Sequence, residues 1–118
     1  MVSFIPVLPH PLPEELVELI ARRFRVLGEP LRIRLLDQLR AGEASVNELS
    51  GTLDSSQQNI SKHLQLLAEA GIVGRRKHGN HVYYRIVDEG VLRLCEDVCG
   101  SVQAQLAELS RLLQASEN

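Results

Sequence analysis

The chain has 118 residues, 44% hydrophobic and 24% charged, with a formal net charge of −2, which is one domain's worth of core and too little for most multi-domain enzymes. No apolar run reaches the roughly 18 residues of a membrane span, and Pro6, Pro9, Pro11 and Pro13 break up the apolar N-terminus, which no basic segment precedes, so neither a transmembrane helix nor a signal peptide is expected. Cys95 and Cys99 are too few for a disulfide-stapled secreted fold, and a cytoplasmic protein is the expectation.

Residues 1–12 read as an extended arm, because proline removes donors and disfavours helix at the preceding position. Helix follows from Pro13, a good first-turn residue, with Glu14 and Glu15 at the positive end of the dipole. Leu16, Leu19, Ile20 and Leu27 mark one face of it, and Gly28 can end it. Pro30 starts a second helix, where Leu31, Leu35, Leu36 and Leu39 recur at helical spacing before Ala41 and Gly42 close it. Ser45 and Glu48 have the S-x-x-E form of a capping box, so a short third helix runs to about Leu53. Ser55 and Gln58 offer a second box for a fourth helix, with Ile60, Leu64 and Leu67 inward and Gly71 as its stop. Two β-prone runs, 72–77 and 81–86, flank His78, Gly79 and Asn80 and predict a hairpin. A long fifth helix is expected from Asp88 to about Leu113, and 114–118 as a flexible tail, leaving 13–113 as the folded domain.

The fold class these elements spell is mainly α with a small β-hairpin, a winged helix-turn-helix of five helices plus wing. Two short helices joined by a tight turn can pack on the second helix, and the fourth helix can project into a major groove. With Ile60 inward, at about 100° per residue, Gln58, Lys62 and Gln65 point away from the core and Gln57 and Ser61 flank them. The first two turns thus present Gln57, Gln58, Asn59, Ser61 and Lys62, which can bond base edges and phosphates. The net charge hides a matching asymmetry. Residues 55–85 carry Lys62, Arg75, Arg76, Lys77 and Arg85 against Glu69 alone, whereas the C-terminal third is acidic. Arg75, Arg76 and Lys77 on the hairpin would lie where phosphates run. A solvated polar face is the bland reading of such a helix; the basic hairpin beside it, with capping boxes on both helices, points to nucleic acid.

The sequence resembles the ArsR/SmtB family of small dimeric bacterial repressors. The resemblance rests on FRVLGEPLRIRLL at 24–36, Val46 to Leu49, SSQQNISKHLQLLAEAGIV at 55–73 and the wing RRKHGNHVYYRI at 75–86, and it spans roughly residues 15–105. It implies a homodimer that binds a palindromic operator in double-stranded DNA and is released by an inducer. An enzyme is not expected, since the sequence has no nucleophile–base set and no glycine-rich phosphate loop, and no pocket of paired carboxylates is expected from it. The resemblance also implies base contacts from Gln57, Gln58, Ser61 and Lys62, while His63 is either a phosphate contact or a half-buried packing residue. The family's dimer interface is built from the first and last helices. Here that places Leu16, Leu19, Ile20, Val91, Leu94, Val98, Val102 and Leu109 in it, in keeping with a fifth helix too apolar for a solvated one.

The family's sensor sites are mostly missing. Ser45 and Asn47 replace the thiols of the arsenical site, and the fourth helix has no cysteine. Asp88 matches the first ligand of the zinc site on the fifth helix, but Gly90, Ser101 and Ala104 stand at the other positions. Asp88 then reads as a helix cap. Cys95 and Cys99, spaced i, i+4, share one helix face and could hold a soft metal or metalloid ion or answer a redox or sulfur signal. A third metal ligand would have to come from the partner helix or His10. Equally, both could be inert core thiols. No cofactor is required by any motif. Two alternatives stay open: a winged-helix module for protein partners, and a repressor of this type with neither metal nor thiol sensing.

Overall fold

The structure is a computed structural model that describes residues 7–117. It contains α1 (Glu14–Leu27), α2 (Pro30–Leu39), β1 (Ala44–Ser45), α3 (Val46–Leu53), α4 (Gln57–Glu69), β2 (Val73–His78), β3 (His81–Ile86) and α5 (Glu89–Ser116). The five helices and the wing of the sequence reading are all present. Residues 1–6 of the predicted arm, and Asn118, lie outside the described residues; 7–13 form neither helix nor strand.

Local chemistry sets the boundaries. The Ser45 hydroxyl accepts from Glu48 N–H and the Glu48 carboxylate accepts from Ser45 N–H, completing the capping box of α3. The second cap differs from the expected one. Ser56, not Ser55, takes the N-cap position of α4 and accepts from Asn59 N–H at 3.1 Å. Ser55 is instead absorbed by the turn, where its carbonyl accepts from the Ser50 hydroxyl and its Oγ accepts from the Asn59 amide at 3.0 Å. Asp54 closes α3 in the left-handed region, φ 50°, a conformation that Asp tolerates better than most residues. At the wing tip Gly79, φ 62°, supplies the positive φ that a tight two-residue hairpin turn requires.

The hairpin is part of a three-stranded antiparallel sheet in the order β1-β3-β2, with Ala44 opposite Tyr84 and Ser45 opposite Tyr83. The sequence reading lacked β1, because two residues carry no periodicity. The core is aliphatic apart from Tyr84. Leu35, Leu36 and Leu39 of α2, Leu49 of α3, Ile60, Leu64 and Leu67 of α4, Ile72, Val73 and Tyr84 of the wing and Val91 of α5 are all buried together. α2 is the central strut, and α3 and α4 pack on it as the helix-turn-helix pair.

α5 divides into two parts. Its first turns lie on the core: Val91 is 6% exposed, and Leu94 and Cys95 are packed against the cluster. From Val98 onward every described residue is exposed through Glu117. The helix runs to Ser116, past the predicted end near Leu113, since Leu112 and Leu113 keep the spacing and Gln114 and Ala115 favour helix. The radius of gyration, 18.0 Å, is well above the roughly 13–14 Å of a compact domain of this length.

Candidate nucleic-acid interface

The outward face of α4 follows from its inward one. Ile60, Leu64 and Leu67 are fully buried, so Gln57, Gln58, Lys62 and Gln65 are exposed along the opposite side, with Ser61 half-buried at its edge. Together these five line an open, shallow depression. Gln57 donates from Nε2 to Asn47 Oδ1 of α3, and Asn59 is held by Ser55. Both amides therefore brace the helix-turn-helix angle, leaving Gln58 and Lys62 as the free polar groups at the centre of the face. Among the described residues no carboxylate lies within ion-pair distance of Lys62, Arg75 or Lys77.

Two of the candidate DNA-contacting residues have partners within the subunit. The His63 side chain is only 16% exposed and turns toward α2, with Nδ1 3.4 Å from Arg32 Nη1 and 3.7 Å from Glu29 Oε2. It thereby follows the packing alternative of the sequence reading, because its position on α4 lies beside the buried Ile60 and Leu64 stripe. Glu29 also caps α2 through Arg32 N–H, so this cluster ties the start of α2 to α4. Arg76 is not a free cation. Its Nε and Nη2 bond both oxygens of Glu43, at 3.1 and 2.6 Å, and its guanidinium lies 4.8 Å from the centroid of the Tyr83 ring. The hydrogen bond from Arg76 holds the Glu43 carboxyl below its usual range, and the same bond raises Arg76. The sequence reading missed Glu43, which has no local pattern to mark it. Strand alternation puts Arg75 and Lys77 on the face opposite Arg76.

Of the predicted dimer residues, Leu19, Ile20, Val98, Val102 and Leu109 are exposed and apolar, and Leu16 is half-buried. Val91 is instead buried within the subunit, and Leu94 is half-buried beside it. They face the chain's own core, since the α5 stripe begins over α2 before it leaves the domain. Phe24, Leu106, Leu112 and Leu113 join the exposed apolar face instead.

Asp88 acts as the cap expected of it: Oδ1 accepts from Val91 N–H at 3.1 Å, while Oδ2 pairs with Arg23 of α1 at 3.0 Å. Cys95 is half-buried and Cys99 exposed. Burial pushes the Cys95 thiol up, against a smaller downward pull from Arg40 and a further upward push from Glu96. Among the described residues no group of three or more His, Cys, Asp or Glu side chains could hold a metal ion. No helix among them is long and apolar enough to cross a membrane.

A three-helix reading head on a small sheet, with a wing and a projecting terminal helix, defines a winged helix-turn-helix protein. A family profile described as a helix-turn-helix domain matches residues 27–76. The chain is 34% identical over 92 residues to the HTH-type transcriptional repressor SmtB of Mycobacterium tuberculosis, covering 78% of this chain and 68% of that one. Among solved structures it is similar to the AntR antimony-specific transcriptional repressor, with a TM-score of 0.73 and 32% identity over 90% of this chain and 99% of AntR. It is also similar to the homodimeric winged helix-turn-helix DNA-binding domain Mb0332 of Mycobacterium bovis, a possible ArsR-family transcriptional regulator. That match has a TM-score of 0.71 and 28% identity over 84% of this chain and 91% of that one. The chain belongs to the ArsR/SmtB family of DNA-binding transcriptional regulators.

Proposed function

We propose that this protein is a cytoplasmic, homodimeric repressor that reads a palindromic operator with α4 and is released from it by an effector. The observation that carries the reading is the outward face of α4: Gln58 and Lys62 stand exposed on a helix whose other side is fully buried, and the wing strand that follows carries Arg75 and Lys77, which no carboxylate among the described residues pairs. Gln58 supplies an amide suited to a base edge, and the three cations supply phosphate contacts. The exposed apolar stripe of α5, with Leu19, Ile20 and Phe24 of α1, supports dimerisation through the first and last helices. A mobility shift with DNA from the chain's own promoter region tests the reading. Binding should weaken steeply with salt. Binding indifferent to salt, or none at all beside retention of a protein partner, would favour a protein-interaction module instead.

For the effector, Cys95 and Cys99 offer two ligands on one face of α5, and a soft metal or metalloid ion would need a further ligand from the second subunit. The half-burial and raised pKa of Cys95 favour a second reading, in which the thiols are not the sensor. Replacing both by Ser separates the two: a lost response to thiophilic metal, sulfide or oxidant, with operator affinity kept, supports thiol sensing.

A further inference from the structure

A second concavity, more enclosed than the open depression on α4, is also present. It lies between α2 and α5, where α5 leaves the core, and has a volume of about 290 Å³. Leu36, Ile86, Val91 and Leu92 form its floor and walls, with Cys95 between them. Its rim is charged but balanced. Arg40 is paired with Asp37 at 3.2 Å, and Arg34 and Glu96 contribute one charge of each sign. A cleft with apolar walls and no net rim charge suits an uncharged, apolar occupant. Size narrows the class. A dry cavity of about 150 Å³ holds one benzene, so this one accommodates a molecule of about a dozen non-hydrogen atoms.

We propose that the α2–α5 cleft binds a small, uncharged, apolar organic molecule, and that this is the effector site. The proposal rests on the repressor reading and names its ligand class. The two walls belong to different functional parts: α2 carries α3 and α4, whereas α5 carries the exposed apolar stripe. A molecule wedged between them changes the angle at which the reading head leaves the dimer axis. Half-sites about 34 Å apart fix that angle, so DNA affinity falls. Cys95 contributes a small neutral wall, in keeping with a thiol that burial keeps protonated.

The test uses the full chain and 2-naphthol, a neutral bicycle of about the required size. The protein has no Trp, so naphthol emission is read without that background. Saturable binding is expected. It should weaken by about tenfold or more in Cys95→Phe, which fills the cleft, and in Ile33→Arg, which charges its mouth. Ile33 is 53% exposed, so the second variant leaves the fold intact. Cys99 lines the exposed edge of the cleft, so the one-atom change Cys99→Ser should keep saturable binding, which distinguishes the cleft from thiol chemistry, and its complete loss there overturns the site. In a mobility shift, saturating naphthol should reduce operator affinity by about fivefold or more for wild type and not for Ile33→Arg. No saturable signal up to about 1 mM, or an undiminished one in Ile33→Arg, overturns the site. Binding at the cleft that leaves operator affinity unchanged overturns its effector role. A chain that binds no DNA even without naphthol refutes the repressor reading, and the fluorescence arm then decides the cleft alone.

Discussion

Replacing Val98 by Glu should split the dimer without unfolding either subunit. Val98 is half-exposed at the point where the α5 stripe leaves the core. Six residues along that stripe, Val98, Val102, Leu106, Leu109, Leu112 and Leu113, are between 46% and 61% exposed. Full burial of such a side chain is worth about 1.5–3 kcal/mol, so covering what remains adds about 1 kcal/mol each, or about 12 kcal/mol over two copies. Leu19, Ile20 and Phe24 of α1 add about 6 kcal/mol over two copies, and association costs toward the low end of about 4–15 kcal/mol leave enough for a dimer at micromolar concentration. A buried, unpaired carboxylate costs about 3–5 kcal/mol, and two-fold symmetry applies it twice. At 1.4 kcal/mol per decade, the dimer weakens by about four orders of magnitude or more. Sedimentation velocity at about 10 µM should then show wild-type dimer and variant monomer, with helix content by circular dichroism unchanged. Val91→Glu is the contrasting case. Val91 is already buried in its own subunit, so the charge should lower the melting temperature of the fold itself. A Val98→Glu protein that stays dimeric, or a wild type that is monomeric, would refute the assignment of this face.

Further outcomes are expected at particular residues. Gln58→Ala should relax base preference by about 1–3 kcal/mol at one position per half-site, read by competition with operator variants. Lys77→Ala should instead weaken all sequences alike and flatten the salt slope by about 0.9 per lost phosphate contact. Arg76→Ala should flatten it less, because Glu43 already neutralises that cation, and Glu43→Gln should steepen it. The Glu43 carboxyl should titrate below its ordinary 4.5 by NMR and return toward it in Arg76→Ala. Because the folded value is the lower one, the pair's contribution to stability is present above 4.5 and is lost as pH falls through the depressed value. Finally, iodoacetamide at neutral pH should label exposed Cys99 before Cys95, whose thiol is half-buried and raised. Equal labelling rates by mass spectrometry would contradict that burial.

The helices, the wing and the family were legible in the sequence because their signals are short-ranged. The Ser45–Glu48 box, the Ile60, Leu64 and Leu67 stripe and the Gly79 turn each act within a few residues, where periodicity and capping chemistry are visible. The outward face of α4 was legible for the same reason, once its buried stripe was known. What the tertiary structure alone decided involves partners far apart in the chain. Arg76 meets Glu43 across 33 residues and Arg23 meets Asp88 across 65, and neither carboxylate carries a mark that assigns it a cation. His63 required the position of Arg32 and Glu29 to be seen as a packing residue. The apolar stripe of α5 is continuous in sequence from Val91 to Leu113, and composition cannot tell which part a subunit covers by itself. The fold divides it: α2 and the sheet cover the first turns, and the helix then outruns the domain, leaving the rest of the stripe bare. Hydrophobic burial is non-directional and depends on what else is within reach, so only the packed arrangement separates core from interface.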